Sequence, residues 1–144
     1  MTISIIATEA PDPADREAVD QGLSRYNEQT ELVSTRPLCV FAKNLHGEVI
    51  GGAIGRTLGT CCELQQLWVA EDTRGSGLGT RILSAFEQLA AGRGCKLVYL
   101  DTFTFQAPAF YEKLGYRIAL TTSGFAAGVS KFTMHKHLPD GSEA

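Results

Sequence analysis

No apolar run in this 144-residue chain approaches the length of a membrane span. Histidine is scarce, with three in all, and the four cysteines (Cys39, Cys61, Cys62 and Cys95) show no Cys-x-x-Cys spacing. No histidine is placed to complete a zinc site, so no metal centre is expected and a reduced, structural cysteine set is. Basic residues do not predominate: 13 Lys and Arg against 16 Asp and Glu leave a net charge of −3. That balance argues against a general nucleic-acid binder and leaves room for a cationic or amine-bearing ligand. The segment from Met1 to Glu9 lacks the basic start and longer apolar core of a secretory signal, which makes the cytoplasm the expected compartment. There is no internal repeat and no long linker. With 44% hydrophobic and 20% charged residues, the chain reads as one globular domain over 1–144. Its core is expected over about 3–138, with a frayed tail at 139–144.

What is present is an alternation of period two and period 3.6. A strand is expected at Ile3–Ala7, followed by Pro11-Asp12-Pro13 as a helix entry and a helix over Ala14–Tyr26. Val19, Leu23 and Tyr26 share one face of that helix. Leu38–Lys43 and Glu48–Thr57 read as a hairpin around Asn44-Leu45-His46-Gly47, and Cys61–Val69 as the next strand. A helix follows to about Arg93, with Ile82, Leu83, Phe86, Leu89 and Ala90 as its apolar stripe. Lys96–Thr102 is a strand, Ala109–Leu114 a short helix opened by Pro108, and Tyr116–Thr122 and Val129–Leu138 the last strands. The order β-α-β-β-β-α-β-α-β-β predicts a mixed, mostly antiparallel α/β sheet with helices on both faces. Three consecutive hairpin-like strands do not suit a doubly wound sheet.

The densest signal is Arg74-Gly75-Ser76-Gly77-Leu78-Gly79-Thr80, between an apolar strand and an amphipathic helix. Its glycines let backbone approach a ligand closely, and the helix begins there with unpaired amides. Those amides, the macrodipole and an adjacent arginine make an anion site, so a phosphate-bearing ligand is expected. A nucleoside-triphosphate loop would end in Gly-Lys-Ser/Thr, whereas Thr80-Arg81 follow Gly79 here. A dinucleotide loop needs Gly-x-Gly-x-x-Gly tight against a first strand; counted from Gly75, the last glycine position holds Thr80. Asp101 does lie about 20 residues onward, as that fingerprint asks. The third option is acyl-coenzyme A, whose pattern Arg/Gln-x-x-Gly-x-Gly/Ala matches at Arg74, Gly77 and Gly79.

With the preceding strand Leu64-Gln65-Gln66-Leu67-Trp68-Val69, this pattern resembles the signature of the GNAT superfamily of acetyltransferases. The second signature of that superfamily is matched by Ala107-Pro108-Ala109-Phe110-Tyr111-Glu112-Lys113-Leu114-Gly115-Tyr116. The resemblance covers essentially Ile3–Leu138. It implies acetyl-CoA as co-substrate, entering a gap where the Cys61–Val69 strand splays from Lys96–Thr102. The main chain of Leu67, Trp68 and Val69 would bond the pantetheine arm. Arg74 and the amides of Gly75, Ser76, Gly77, Leu78, Gly79 and Thr80 would hold the pyrophosphate. Tyr111 would be the acid that meets the departing thiolate, and Glu63, eleven residues before Arg74, the base. On an alternating strand Glu63, Gln65, Leu67 and Val69 share one face. Many members carry an asparagine seven residues before the tyrosine; here Thr104 stands there, and Thr104 or Gln106 would replace its coenzyme contact.

The implied activity is transfer of an acetyl group to a primary amine of a small molecule or peptide by direct attack in a ternary complex. A free alkyl amine is mostly protonated at pH 7 (pKa about 10.4), so some group must take a proton. Alternatives are another acyl group, a non-catalytic acyl-CoA sensor, and a nucleotide-binding protein. Cys61 and Cys62 have no histidine nearby in sequence to support an acyl-enzyme. Acceptor-shaping segments are expected at Tyr26–Arg36 and at the glycine-rich Thr121–Lys131, which reads as a lid. Glu28, Glu31 and Glu63 are candidates for recognising a cation, and Asp101-Thr102 either line the acceptor side or cap their loop. Trp68 is either a pocket wall or sheet core. His46 is expected to face solvent, and His135 and His137 to share one face of the last strand. The resemblance also allows a homodimer through the last strands.

Overall fold

The computed structural model describes residues 2–29 and 35–139. It divides into two compact units, Met1–Val33 and Ser34–Ala144. Glu31 and the tail beyond Pro139 lie outside the described residues. The first unit holds one helix, α1 (Pro13–Glu28). Asp12 starts it, its side chain accepting from the Ala14 N–H at 2.9 Å, and Pro13 fits the first turn because its missing N–H is not needed there. The expected strand at Ile3–Ala7 is not formed: residues 2–7 are irregular. Ile3, Ile5 and Ile6 supply the apolar pattern, but a strand exists only where a neighbour completes its ladder, and these residues pair with none of the described strands.

The second unit is a six-stranded sheet with two helices. The strands are β1 (Thr35–Lys43), β2 (Val49–Leu58), β3 (Cys61–Val69), β4 (Leu97–Phe103), β5 (Arg117–Ala126) and β6 (Val129–His137), and the helices α2 (Leu78–Gly92) and α3 (Pro108–Lys113). Spatial order is β1-β2-β3-β4-β6-β5. Every pairing is antiparallel except β3 with β4, which α2 connects. β1 is an edge strand, where Pro37 removes no needed donor. At the β1–β2 turn the Asn44 side chain accepts from the N–H groups of His46 and Glu48, and Gly47 takes φ +79°.

The core lies between the sheet and α2. Ile82, Leu83, Phe86 and Ala90 of α2 are buried against Leu38, Ala53, Cys62, Leu64, Val98, Leu100 and Met134. Beneath the helix, β2 carries Gly51, Ala53, Gly55 and Thr57, a strip of small residues. A Cβ at Gly55 would lie 2.7 Å from Phe86 Cζ and against the Glu63 carbonyl; one at Gly51 would lie 2.9 Å from Ile82 Cδ1. Bare backbone here lets the helix ride close on the sheet, which fixes where its first turn points. Cys61 and Cys62 face opposite sides, as their adjacency requires, and only Cys62 is buried.

Two expectations are corrected. Thr121–Lys131 is not a loose lid. β5 runs to Ala126: Thr122 pairs with Lys131 and Ser123 with Ser130, the register shifts between Ser123 and Ala126, and the turn falls at 127–128. β-branched and small residues zip as readily as they loop when an adjacent strand offers a ladder. Nor do Glu63, Gln65, Leu67 and Val69 share one face. Ile54 pairs with Gln66 but Gly55 with Leu64, leaving Gln65 as the extra residue of a β-bulge. The bulge shifts the alternation by one. Leu67 and Val69, opposite Ala53 and Gly51, therefore join Cys62 and Leu64 on the α2 face. Glu63, Gln66 and Trp68 take the other face, opposite Arg56, Ile54 and Gly52.

Candidate active site

The parallel pairing of β3 with β4 lasts only from Cys61–Leu97 to Leu64–Leu100. Beyond it the strands part, and a cavity of about 980 Å³ opens between them. β3 from Leu64 to Val69 forms one wall, Leu100, Asp101 and Thr102 the other, with the start of α2 and α3 closing the ends. Of the residues expected at the site, Leu67, Trp68, Val69, Arg74, Gly75, Gly77, Leu78, Gly79, Thr80, Gln106 and Tyr111 line this cavity. Glu63, Ser76 and Thr104 do not.

The backbone of β3 divides its bonds between two sides. The Ala70 N–H donates to Ile50 O at 2.8 Å, which makes that a hydrogen-bonded pair. Bonded pairs alternate along an antiparallel ladder, so Trp68 bonds toward β2, while the peptide groups of Leu67 and Val69 point into the gap. Trp68 thus offers the cavity its side chain, and only Leu67 and Val69 offer peptide groups. Arg74 Nε already donates to Val69 O at 3.1 Å, pinning the glycine loop to the strand end.

That loop turns through Gly75 and Gly77, at φ +80° and +81°, a region any side chain would strain. Gly77 caps α2 and no side chain bonds its first turn; the first intrahelical bond runs from Arg81 N–H to Gly77 O. The N–H groups of Leu78, Gly79 and Thr80 are therefore free of intrahelical acceptors at the cavity's edge. Gly79 serves packing: a Cβ there would sit 3.4 Å from Phe110 Cζ and 3.6 Å from Val69 Cγ2. Ser76 turns away, its hydroxyl donating to Thr73 O at 2.6 Å.

Tyr111 is held edge-to-face between Phe110 (5.2 Å) and Tyr116 (5.7 Å). Burial pushes its phenol above the usual tyrosine range. Its hydroxyl has no hydrogen-bond partner among the described residues. Behind it, Tyr116 donates to Glu87 at 2.8 Å, and Lys136 Nζ reaches the same carboxylate at 2.9 Å, tying α2 to β6 around the tyrosine pair. Burial first, and then the Glu87 charge, raise the Tyr116 phenol as well.

Glu63 lies one residue short of the split. Its Oε2 accepts from Arg56 Nε at 2.9 Å and from the Tyr99 hydroxyl at 3.4 Å. Thr104 is turned to the β5–β6 hairpin, donating to Gly128 O and accepting from the Ser130 N–H. Gln106 lines the cavity, with Oε1 accepting from the Phe103 N–H at 2.8 Å and from the Thr102 hydroxyl at 3.3 Å. Reading by sequence missed Gln66, Phe105 and Phe110 in the lining. The signal for the first was the bulge, which no residue type announced. Among the described residues, no group of three His, Cys, Asp or Glu side chains is placed to hold a metal. No helix of the described residues is long and apolar enough to cross a membrane.

A parallel strand pair thus splays over an uncapped, glycine-started helix, an arrangement shared with the acetyltransferase structures the chain superposes on. The chain belongs to the Acetyltransferase (GNAT) family, whose model matches residues 4–116. It is similar to the Blasticidin-S acetyltransferase of Streptomyces morookaense, 33% identical over 76% of this chain and 84% of the relative. An acetyltransferase structure from Bacillus cereus superposes with a TM-score of 0.77 at 30% identity, covering 92% of this chain and 98% of that one. A Bacillus anthracis structure named for streptothricin acetylation holds acetyl coenzyme A. It shares the fold at a TM-score of 0.63 and 21% identity, over 79% of this chain and 68% of that one.

Proposed function

We propose that the whole chain acts as one N-acetyltransferase domain, moving acetyl from acetyl-CoA to a primary amine of a small cationic acceptor. The observation that carries this reading is the joint exposure to one cavity of the Leu67 and Val69 peptide groups and the free amides of Leu78, Gly79 and Thr80. Pantetheine is itself a chain of amides, and pyrophosphate suits a helix N-terminus, so the donor set fits both parts of the cofactor. Acetyl-CoA, when bound, supplies the activated acetyl group; the protein's residues do the rest. Leu67 and Val69 orient the arm, and Arg74, with one N–H spent on Val69 O, keeps its remaining donors for phosphate. Gln106 lines the same wall, at the place where the expected asparagine contact is otherwise missing.

Tyr111 holds its proton at all physiological pH values and donates it toward the sulfur as C–S cleavage develops charge there. Proton removal from the amine is assigned to water in the open cleft. Glu63, engaged by Arg56 and Tyr99, keeps the strand pair in register beneath the split. Because the Streptomyces relative is named for blasticidin S, that compound is the first acceptor to try.

The test is calorimetric titration with acetyl-CoA beside ATP and NAD, followed by thiol release with blasticidin S. Micromolar binding of acetyl-CoA alone, with acceptor-dependent thiol release, supports the reading. Failure to bind acetyl-CoA, or preference for a nucleotide, removes it.

A further inference from the structure

The cavity is lined by one cationic and one anionic side chain, Arg74 and Asp101. Arg74 stands at the glycine loop. Asp101 stands on the opposite wall, and it belongs to the other face of the sheet. Val98, Leu100 and Thr102 of β4 are buried toward α2, so Tyr99, Asp101 and Phe103 project the opposite way. Gln66 and Trp68 line the cavity from that same face of β3. The gap between the splayed strands is therefore open on both faces, and its two faces differ in chemistry. The α2 face offers amides, an arginine and a buried phenol. The other offers a carboxylate and exposed aromatic rings.

Asp101 is fixed in position yet left without a cation. Its Oδ1 accepts from the Thr133 hydroxyl at 2.6 Å, across the β4–β6 pair. Among the described residues it forms no ion pair: Arg56 is taken by Glu63, Lys136 by Glu87, and Lys131 Nζ sits 5.9 Å over the Phe125 ring. Trp68 is 51% and Phe105 69% exposed. Phe105 is steadied by stacking on Phe103 at 5.2 Å, which Phe125 meets edge-on at 5.1 Å. A carboxylate oriented by a hydroxyl, in a cavity that Trp68 and Phe105 also line, suits an organic ammonium, through a charge-assisted hydrogen bond and cation–π contact.

Resting on the proposed acetyl transfer, we infer that Asp101, with Trp68 and Phe105, is the specificity site for a second positive charge on the acceptor, entering from the face opposite α2. The acceptor class is a di- or polyamine. One ammonium is anchored at Asp101 while a second amine, deprotonated, leads into the gap.

The test compares spermidine with hexylamine, which lacks a second charge, by thiol release from saturating acetyl-CoA. The wild type is expected to favour spermidine in kcat/KM by at least ~10-fold. Asp101→Asn should raise KM for spermidine roughly 10- to 100-fold, with kcat within about 3-fold and hexylamine unaffected. Thr133→Val, which frees the carboxylate to rotate, should raise the same KM by a smaller factor. Calorimetry with acetyl-CoA on each variant reports folding and the cofactor site. Loss of acetyl-CoA binding by the wild type defeats the acetyl-transfer reading itself. Retained binding with no preference for spermidine, with no turnover of either amine, or with kcat falling at unchanged KM in Asp101→Asn, overturns the anchor alone.

Discussion

Tyr111→Phe isolates the proton that acetyl transfer needs at sulfur. An ordinary phenol, at about 10, is a weaker acid than an ordinary thiol, at about 8.5, and that gap alone makes full proton transfer uphill by about 2 kcal/mol. Burial widens the gap from the phenol's side. In the proposed mechanism the hydroxyl therefore acts as a charge-assisted hydrogen-bond donor while sulfur gains charge, and completes the transfer only as the thiolate leaves. Such a bond contributes about 1.5–3 kcal/mol, or roughly 10- to 150-fold in kcat. The substitution keeps the ring between Phe110 and Tyr116 and removes a hydroxyl with no partner among the described residues. Stability and acetyl-CoA affinity should hardly move, the latter staying within about 2-fold. Steady-state thiol release and thermal melting of the two proteins measure both sides. A kcat within 2-fold of wild type would refute the acid role, and an equal loss of acetyl-CoA affinity would recast Tyr111 as a binding residue.

Glu63→Gln is expected to leave kcat within about 3-fold and cost at most about 1 kcal/mol, since the Arg56 pair is partly exposed. A 100-fold loss in kcat would return the base role to Glu63. Gly77→Asp should weaken acetyl-CoA by at least ~10-fold in calorimetry, through left-handed backbone strain at φ +81° and negative charge at a helix start; normal affinity in a folded variant removes the loop from the site. Tyr99, Tyr111 and Tyr116 all titrate above the usual phenol range, burial being the first cause in each. The unfolded chain then releases its phenolic protons first, so stability is full below about pH 10 and falls above it; melting temperatures that stay level from pH 9 to 11 would contradict this. Burial pushes the Cys62 thiol up to about 12, whereas Cys39 is exposed. Mass spectrometry after brief alkylation should find Cys39 modified and Cys62 intact until the protein unfolds.

The glycine loop was readable because its chemistry lies in consecutive residues, and in the fold Gly75 and Gly77 turn it through positive φ. The elements from β1 to β6 were legible for the same reason, since each carries its own period and its own turn. Ile3–Ala7 misled because alternation states what a strand buries, not whether a partner exists. Thr121–Lys131 misled in the opposite sense, glycines at 124 and 128 reading as a loop where pairing across β5 and β6 supplies order. The place of Glu63 depended on two distant facts: where β3 leaves β4, and where β3 is bulged against β2. Neither is a property of residues 61–69 alone. Asp101 was noticed as a strand-end carboxylate, but only the splay shows which cavity it faces.

The bulge at Gln65 also makes β3 a strand with two reading frames. Before it, odd positions look away from α2; after it, even ones do. On the proposed reading, a redesign of acceptor preference would vary Gln66 and Trp68 as one set and leave Leu67 and Val69 to the cofactor. Deleting the single residue Gln65 would leave both sets where they are, since Leu64 opposite Gly55 and Gln66 opposite Ile54 would then follow one another in a regular ladder. The extra residue thus alters how the positions of the strand are counted, not which side chains meet α2, and a two-residue change of spacing there is better tolerated than a slip of the ladder by one.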